Sequence, residues 1–333
     1  MMAKRKPRIE ATDISTQGGD SEPRSGTDSE EKPTQSPPSS PSPQPAAELF
    51  ALDPELATDD QLQDIADRQM AADASTGTVA EAYNILFLYD DDSIGRPDAN
   101  RIYRALGSVD QDKPILLVMS SPGGDIAAAY FIAKLCREYT RATFEVAVPR
   151  EAKSAATLIA CGADRIHMGS LSELGPIDPQ FGHIPALALK YSVEHIASLA
   201  KMYPDASKMF ADYLSKALRI EALGFYERVA ESAAQYAMRL LRSRHNGEAS
   251  DNKAIADRLV YEYKDHGFVI DAHEAAEIFG QDVVRTNTDE YQFANKVYSE
   301  LDFLAYVMRT RFMRDFSFTG ARDNGCWVFT RTT

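Results

Sequence analysis

Cysteine is scarce in this chain of 333 residues, which contains only three. Cys136, Cys161 and Cys326 are too few and too widely separated for a disulfide framework or a CxxC metal site. Such cysteine usage is typical of a reducing compartment. Because the first 45 residues are polar and contain no signal peptide, the sequence predicts a cytoplasmic location. We expect neither a bound metal nor another cofactor.

Long apolar runs are also missing, since no stretch approaches the ~20 apolar residues that a membrane-spanning helix requires. The glycine-rich signatures GxxxxGK[ST] and GxGxxG, which bind nucleotide phosphates, do not occur. Basic residues are outnumbered, with 36 Lys and Arg against 50 Asp and Glu, and the net charge is -14. This charge argues against broad nucleic-acid binding. The sequence therefore predicts neither a membrane segment nor a nucleic-acid partner.

Aliphatic residues are almost absent from residues 1–45, which are rich in Ser, Pro, Thr, Glu and Asp. A segment of this composition cannot bury enough apolar surface to fold, so we expect a disordered tail. Residues 46–77 carry apolar side chains at helical spacing, including Leu49, Leu62 and Met70. They predict a helical linker or docking arm.

A glycine-rich turn interrupts the apolar strand predicted for Lys113–Met119. Gly123 and Gly124 would let backbone N–H groups approach a ligand without an intervening Cβ. Asp125 stands where a helix would begin, and apolar residues then recur at helical spacing. Such a turn can hold a developing oxyanion.

Ser154 occupies a similar position after the next predicted strand, Ala142–Val148. It opens a helical run of small residues that ends at Cys161. A serine at a helix N-terminus is commonly only a cap. The same position also offers backbone N–H groups and the positive end of the helix dipole, which favour negative charge. On local pattern alone, both a capping role and a nucleophilic role remain open.

The alternation of strands and helices predicts an α/β fold with a parallel or mixed sheet flanked by helices. Residues 183–245 are helical and amphipathic, and we expect them to form a lobe over the active site. Residues 286–333 predict a C-terminal helical extension, with apolar side chains such as Val297, Leu301 and Leu304 on one face.

Four sequence blocks follow one another in order, with a weaker fifth: Ile85–Tyr89, Ser121–Asp125, Ser154–Ala160, Leu174–Gln180 and Asp265–Ile270. With these blocks the chain resembles the ClpP and SppA class of serine peptidases, and within it the serine dehydrogenase proteinase family. The resemblance implies a ClpP/crotonase-like domain over residues 78–285. It also implies a homo-oligomer that acts on peptide or protein substrates without a cofactor.

Carried over residue by residue, the resemblance implies that Ser154 is the nucleophile, His266 the general base and Asp178 the group that orients it. It implies further that the N–H groups of Gly123 and Ala155 hold the oxyanion, with Gly124 shaping the turn. A serine hydroxyl needs such an activator because it is a poor nucleophile at neutral pH. The expected activity is peptide-bond cleavage through an acyl-enzyme on Ser154.

Other bases and other functions remain open at this stage. A desolvated lysine can replace histidine, and Lys190 is the candidate. Lys153 adjoins Ser154, yet neighbouring residues on a helix do not face each other. His183 and His195 are further candidates. As alternative functions, a crotonase-like enzyme would act on acyl-CoA, and a catalytically silent scaffold would only bind protein partners.

Overall fold

The computed structural model describes residues 45–74, 77–90, 92–181, 184–185, 188–217, 220–244, 249–322 and 325–331. The predicted disordered tail therefore lies outside the described residues up to position 44. The strands, in chain order, are β1 (Asn84–Tyr89), β2 (Ile115–Ser120), β3 (Phe144–Val148), β4 (Glu151–Ala152), β5 (Arg165–Met168), β6 (Glu173–Leu174), β7 (Gln180–Phe181), β8 (Ile184–Pro185), β9 (Ile270–Asp271), β10 (Val284–Thr286), β11 (Arg314–Ala321) and β12 (Cys326–Arg331).

Helices occupy most of the remaining described chain. They are α1 (Pro45–Ala51), α2 (Asp59–Ala74), α3 (Thr78–Ala82), α4 (Arg96–Leu106), α5 (Ile126–Glu138), α6 (Ala155–Ala160), α7 (Ala188–Met202), α8 (Ser207–Ala217), α9 (Ile220–Arg242), α10 (Ala249–Asp257), α11 (Ala272–Phe279) and α12 (Asp289–Phe312). A 3-10 turn, Pro204–Ala206, precedes α8, and a π-helical segment, Arg258–Glu262, continues α10. None of the helices within the described part of the chain is both long enough and apolar enough to cross a bilayer.

A seven-stranded sheet forms the centre of the molecule, in the order β10-β5-β3-β2-β1-β11-β12. The first five strands of this order are parallel, whereas β11 pairs antiparallel with both β1 and β12. The predicted α/β fold with a sheet flanked by helices is thus confirmed. Strands β4, β6 and β9 form a second, small sheet beside the carboxyl ends of the parallel strands.

Each face of the central sheet buries its own hydrophobic core. One face packs against α4, α5, α6, α9 and α11. The other face packs against α2 and α12. The buried strand β2 contributes to both cores, because successive side chains point to opposite faces, with Leu117 on one side and Val118 on the other. Each large apolar side chain buried in this way contributes about 1.5–3 kcal/mol, so the two cores stabilise the central sheet.

The C-terminal region differs from the predicted helical extension. Helix α12 begins at the cap Thr288, whose hydroxyl accepts from Tyr291 N–H at 3.2 Å, and it ends at Met313, which has a left-handed φ of 54°. The chain then turns back as the hairpin β11–β12 and joins the central sheet. Alternating burial of Phe316 and Phe318 explains the strand, since a period of two suits a sheet and not a helix.

The predicted helical lobe of residues 183–245 contains α7, α8 and α9. Helix α8 is described to Ala217, and α9 is described from Ile220. The alanine-rich face of α9 packs on the sheet-side core through Ala230, Ala233 and Ala237.

Candidate active site

Three loops meet at the carboxyl edge of the parallel strands, where β1, β2 and β3 end side by side. Ile94, in the loop after β1, forms a bridge with Gly124, in the loop after β2. Ser121, also after β2, forms a bridge with Ala152, two residues before Ser154. The glycine turn and the serine, which are thirty residues apart in sequence, therefore become neighbours.

Both glycines of the turn adopt positive φ angles, 115° at Gly123 and 143° at Gly124, which favour glycine. A Cβ on Gly124 would lie 2.4 Å from the carbonyl oxygen of Ile94. A Cβ on Gly123 would lie 2.9 Å from the Cβ of Ser154. A side chain at either position would collide with these neighbouring atoms, so both positions require glycine.

The two glycine N–H groups differ in what they contact. The Gly123 N–H, predicted to be the first oxyanion donor, donates to the Ser121 hydroxyl at 3.1 Å. The Gly124 N–H has no hydrogen-bond partner among the described residues, and Gly124 lines the cavity that also contains Ser154. The geometry favours Gly124 over Gly123 as the group that faces a ligand.

Ser154 lies at the strand-to-helix turn between β4 and α6, with a φ of 49° and a ψ of -112°. A non-glycine residue at positive φ is strained by about 1–3 kcal/mol and persists only where the surroundings enforce it. Its side chain makes no capping hydrogen bond to the helix, whereas Asp125 caps α5 by accepting from Ala128 N–H at 2.7 Å. The Ser154 hydroxyl therefore does not perform the capping role that the sequence pattern left open.

Ala155 and Ala156 follow the serine, and both are fully buried. Their methyl groups belong to the core of the α6 face and do not narrow the cavity. The N–H of Ala155, at the first position of α6, has no hydrogen-bond partner within the described ranges. The structure thus leaves an unused backbone donor directly beside Ser154.

Asp178 is held by a loop that is fixed at two points before it. The buried Thr157 hydroxyl lies 2.6 Å from the Ala152 carbonyl and 2.8 Å from the Gly175 carbonyl, and it accepts from Gly175 N–H. The Ile177 N–H donates to the Leu259 carbonyl of the π-helical segment at 2.9 Å. These contacts bury Asp178 to 5% exposure. A buried carboxylate normally needs a partner.

His266, in the loop before β9, lies close to Asp178. Its Nδ1 lies 3.8 Å from Asp178 Oδ2, which is slightly beyond hydrogen-bond distance. Both Asp178 Oδ1 and His266 Nδ1 are buried without a hydrogen-bond partner. Catalytic hydrogen bonds are often long before substrate binds. The pair is therefore close enough to form a hydrogen bond with a small adjustment.

A cavity of about 380 Å³ brings the predicted residues together. Ser154 and His266 both line it, with Gly124 on one side and Val229 of α9 on another. Asp178 lies behind His266 and lines a second cavity of about 600 Å³, together with His195. The structure thus places Ser154, His266 and Gly124 around one cavity.

The alternative bases occupy other places. Lys190, on α7, does not line the Ser154 cavity, and neither does His195. His183 lies outside the described residues. The Lys153 ammonium donates to Glu173 at 2.9 Å, so it is engaged in an ion pair. Burial raises the pKa of the Cys161 thiol to about 12, which keeps this cysteine protonated and unreactive.

A second polar cluster, which the sequence reasoning missed, lies at the opposite edge of the sheet. Glu145 of β3, His167 of β5 and Glu290 of α12 present ligand atoms within 4.8 Å of one another. Both oxygens of Glu145 are already bonded, Oε1 to Arg165 and Oε2 to His167 and the Tyr83 hydroxyl. Because these bonds occupy the atoms that would bind a metal, we assign the cluster to the structure of the sheet.

The electrostatics of this cluster follow from burial and from its hydrogen bonds. Burial alone would favour the neutral acid, but hydrogen bonds from His167 and Thr143 hold the pKa of Glu145 below its ordinary value. Burial, reinforced by the carboxylates of Glu145 and Glu290, raises the pKa of Tyr83 far above its ordinary value. Glu145 is therefore ionised and Tyr83 protonated at neutral pH.

Comparison with solved structures gives distant similarities. The 1510-N membrane-bound stomatin-specific protease is 16% identical with a TM-score of 0.40, over 64% of this chain and 83% of that chain. ClpP1 from Listeria monocytogenes is 14% identical with a TM-score of 0.38, over 62% of this chain and 94% of that chain. Similarity at this level carries no information about the activity of this protein.

Curated relatives come from Methanocaldococcus jannaschii. The uncharacterized protein MJ0137 is 32% identical over 214 residues, which span 64% of this chain and 66% of MJ0137. The uncharacterized protein MJ1495 is 33% identical over 122 residues, which span 37% of this chain and 40% of MJ1495. The matches thus cover less than two thirds of the length of either relative.

A family model matches residues 68–311, which include both glycines of the turn, Ser154, Asp178 and His266. The match extends over well more than half of the 333 residues, and it agrees with the family that the sequence blocks resemble. The chain belongs to the ClpP-like SDH-type serine proteinases.

Proposed function

We propose that this protein is a serine endopeptidase that cleaves peptide bonds through an acyl-enzyme on Ser154. The observation that carries the proposal is the strained turn at Ser154, with a φ of 49°, whose hydroxyl is not used as a helix cap and shares a cavity with His266. Membership of a serine proteinase family supports the same chemistry. Backbone strain of this kind is characteristic of functional sites.

In the proposed reaction, Ser154 Oγ attacks the carbonyl carbon of the scissile peptide bond. Because His266 Nδ1 is the nitrogen nearest Asp178, at 3.8 Å, Nε2 is left to accept the serine proton. The imidazolium then donates this proton to the departing amine. Asp178 stabilises the imidazolium by hydrogen bonding to Nδ1–H once the pair closes. Water, activated by His266 in the same way, hydrolyses the acyl-enzyme.

Two backbone N–H groups complete the site in this proposal. The N–H of Ala155 is the donor beside the serine. For the other donor we propose Gly124 in place of Gly123, because the Gly123 N–H is bonded to Ser121 Oγ at 3.1 Å and Gly124 lines the cavity. Losing one oxyanion donor typically lowers the rate by about 10²–10³-fold.

The test is covalent labelling with a fluorophosphonate probe, measured by intact mass on the full chain. We expect one adduct on the wild-type protein, located at Ser154 by peptide mapping, and none on the Ser154→Ala variant. Ser299→Ala is the control, because Ser299 is an exposed serine on α12 that does not line the Ser154 cavity, and this variant should label like the wild type. No adduct on a well-folded wild-type protein would contradict the proposal and favour a catalytically silent scaffold.

An enzyme that acts on acyl-CoA would require different residues of the same site. It would use the paired N–H donors without needing Ser154, so coenzyme A would bind equally well to the wild type and to Ser154→Ala. In the proposed peptidase, coenzyme A does not protect Ser154 from the probe. Protection by coenzyme A at micromolar concentration would therefore contradict the peptidase and support the acyl-CoA alternative.

We also propose that the protein acts as a homo-oligomer. Support comes from the helical lobe, where four large apolar side chains of α7, α8 and their connection are each more than half exposed. These are Met202, Tyr203, Met209 and Tyr213. Clustered exposed apolar residues mark contact surfaces. Light scattering after size-exclusion chromatography should give a multiple of 36.8 kDa, and a monomer at all concentrations would contradict this part of the proposal.

A further inference from the structure

Lys153 precedes Ser154 in sequence, but its side chain leads away from the cavity. Its Nζ lies 2.9 Å from the Glu173 carboxylate and 3.4 Å from the carbonyl oxygen of Phe268. The Lys153 side chain is only 12% exposed, so water screens these contacts weakly. A single ammonium group thus joins the start of β6 to the loop that carries His266.

The stem of Lys153 crosses the loop that leads to Asp178. A Cβ on Gly175 would lie 2.6 Å from Lys153 Cδ, so the glycine leaves the space through which the side chain passes. Lys153 therefore contacts the segments before Asp178 and after His266, and it is covalently next to Ser154. Each of the three proposed catalytic residues lies within three residues of one of these contacts.

The backbone gives these segments little independent support. Strand β4 pairs with β6 through two residue pairs, and β6 pairs with β9 through two more. Among the described residues of the His266 loop, the backbone N–H hydrogen bonds are local, from Gly267 and Phe268 to Asp265. Two-residue pairings hold a loop weakly, so a partly buried side-chain contact that joins these segments has a large effect on the position of the loop.

We propose that Lys153 is a positioning residue that sets the distance between His266 and Ser154. It does so by binding Glu173 and the Phe268 carbonyl, two residues beyond His266. Because its ammonium donates to both groups, Lys153 does not act as the general base. This inference rests on the proposed function, since it concerns the geometry of the proposed Ser154 and His266 pair.

The test is a double-mutant cycle of Lys153→Met and His266→Ala, read as the second-order rate constant of fluorophosphonate labelling. Methionine keeps much of the apolar stem while removing the ammonium. We expect Lys153→Met to lower the rate about tenfold, because a misplacement of ~1 Å can cost about 10²-fold and the shift here is expected to be smaller. In the His266→Ala background the same change should produce no further loss, because both changes then act on the same step. Lys153→Arg should restore most of the rate.

Lys134→Met is the matched control. Lys134 forms an exposed ion pair with Glu138 on α5, at 3.0 Å, and its loss should leave the labelling rate unchanged. Thermal unfolding of each variant separates misplacement from loss of fold. If Lys153→Met does not fold, Glu173→Gln tests the same contact from the other side, with the same expected direction.

Several outcomes would overturn the inference while leaving the proposed function intact. Labelling of Lys153→Met at the wild-type rate would show that the contact does not position His266. If the double variant loses labelling rate by the product of the two single losses, Lys153 acts independently of His266. Complete loss in both Lys153→Met and Lys153→Arg, with His266→Ala still active, would make Lys153 the base. Absence of labelling in the wild type would instead contradict the proposed function itself.

Discussion

The two edges of the parallel sheet both bury polar side chains, but they treat them differently. At the amino edge, Glu145 is 1% exposed and each of its oxygens is hydrogen-bonded, with His167 and Arg165 among the partners. At the carboxyl edge, Asp178 and His266 each retain a buried atom without a partner. Ser154, beside them, adopts a strained backbone conformation.

We interpret this difference as one between a structural cluster and the proposed catalytic one. A buried network whose polar atoms are all bonded is stable and rigid, and it has no atom left to act on a ligand. A buried carboxylate and imidazole that lack hydrogen bonds destabilise the fold unless a bound molecule supplies those hydrogen bonds. We therefore expect changes at the carboxyl edge to alter reactivity, and changes at the amino edge to alter stability.

The largest effect should follow from His266→Ala. Removing a general base typically costs about 10²–10⁴-fold in rate, so labelling of Ser154 should slow by that factor while the protein stays folded. His273→Ala is the control, because His273 is 86% exposed and lies seven residues further on. If the two variants label equally fast, the assignment of His266 as the base is wrong.

His167→Ala should have the opposite effect, lowering stability while leaving the labelling rate unchanged. It leaves Glu145 buried with one hydrogen bond fewer, and leaving a buried polar group without a partner typically costs about 1–3 kcal/mol. Chemical denaturation should show this loss of stability. The labelling rate per folded molecule should stay at the wild-type value. A stable variant with slow labelling would mean that the two edges do not have separate roles.

Gly124→Ala should lower the labelling rate by about 10²-fold or more. The added Cβ would meet the Ile94 backbone, 2.4 Å from its oxygen and 2.5 Å from its nitrogen, and would displace the Gly124 N–H from the cavity. Gly224→Ala on α9 is the matched control, since a Cβ there has nothing within 4 Å. Wild-type labelling by Gly124→Ala would contradict its assignment as a donor.

The smallest expected effect is on the pH dependence of stability, through Tyr83 at the amino edge of the sheet. Because the pKa of Tyr83 is raised in the folded protein, its contribution to stability is complete below the unfolded pKa of about 10 and is lost as pH rises above it. The free energy of unfolding should fall by up to about 1.4 kcal/mol per pH unit in that window. Tyr83→Phe, compared by denaturation from pH 9 to 11, should show a shallower slope than the wild type. Equal slopes would contradict this assignment.

The parts of the fold that the sequence predicts are those with strong local patterns. The buried strand β2, the glycine turn and the short helix after Ser154 each combine an apolar run with a turn residue. The catalytic assignments of Asp178 and His266 came from family resemblance, and they stay predictions. The structure brings the two side chains within 3.8 Å, which local pattern alone does not indicate.

The features that escaped prediction depend on contacts between distant segments. Glu145, His167 and Glu290 are separated by 22 and 123 positions, and no local motif joins them. The two-residue strands of the small sheet are too short to produce a periodic pattern. Hairpin β11–β12 was missed because its alternating residues follow α12 directly, and the whole of residues 286–333 was predicted as a helical extension.

Pairing between β1 and β11 has a consequence for synthesis of the protein. Leu86 pairs with Ala321, so the central sheet closes only after more than 230 further residues have been translated. Until then, the edge of β1 and the apolar side chains that Phe318 covers, such as Phe87, stay exposed on the nascent chain. Ser154, Asp178 and His266 all leave the ribosome before that point. Completion of the central sheet therefore comes later than synthesis of the proposed catalytic residues.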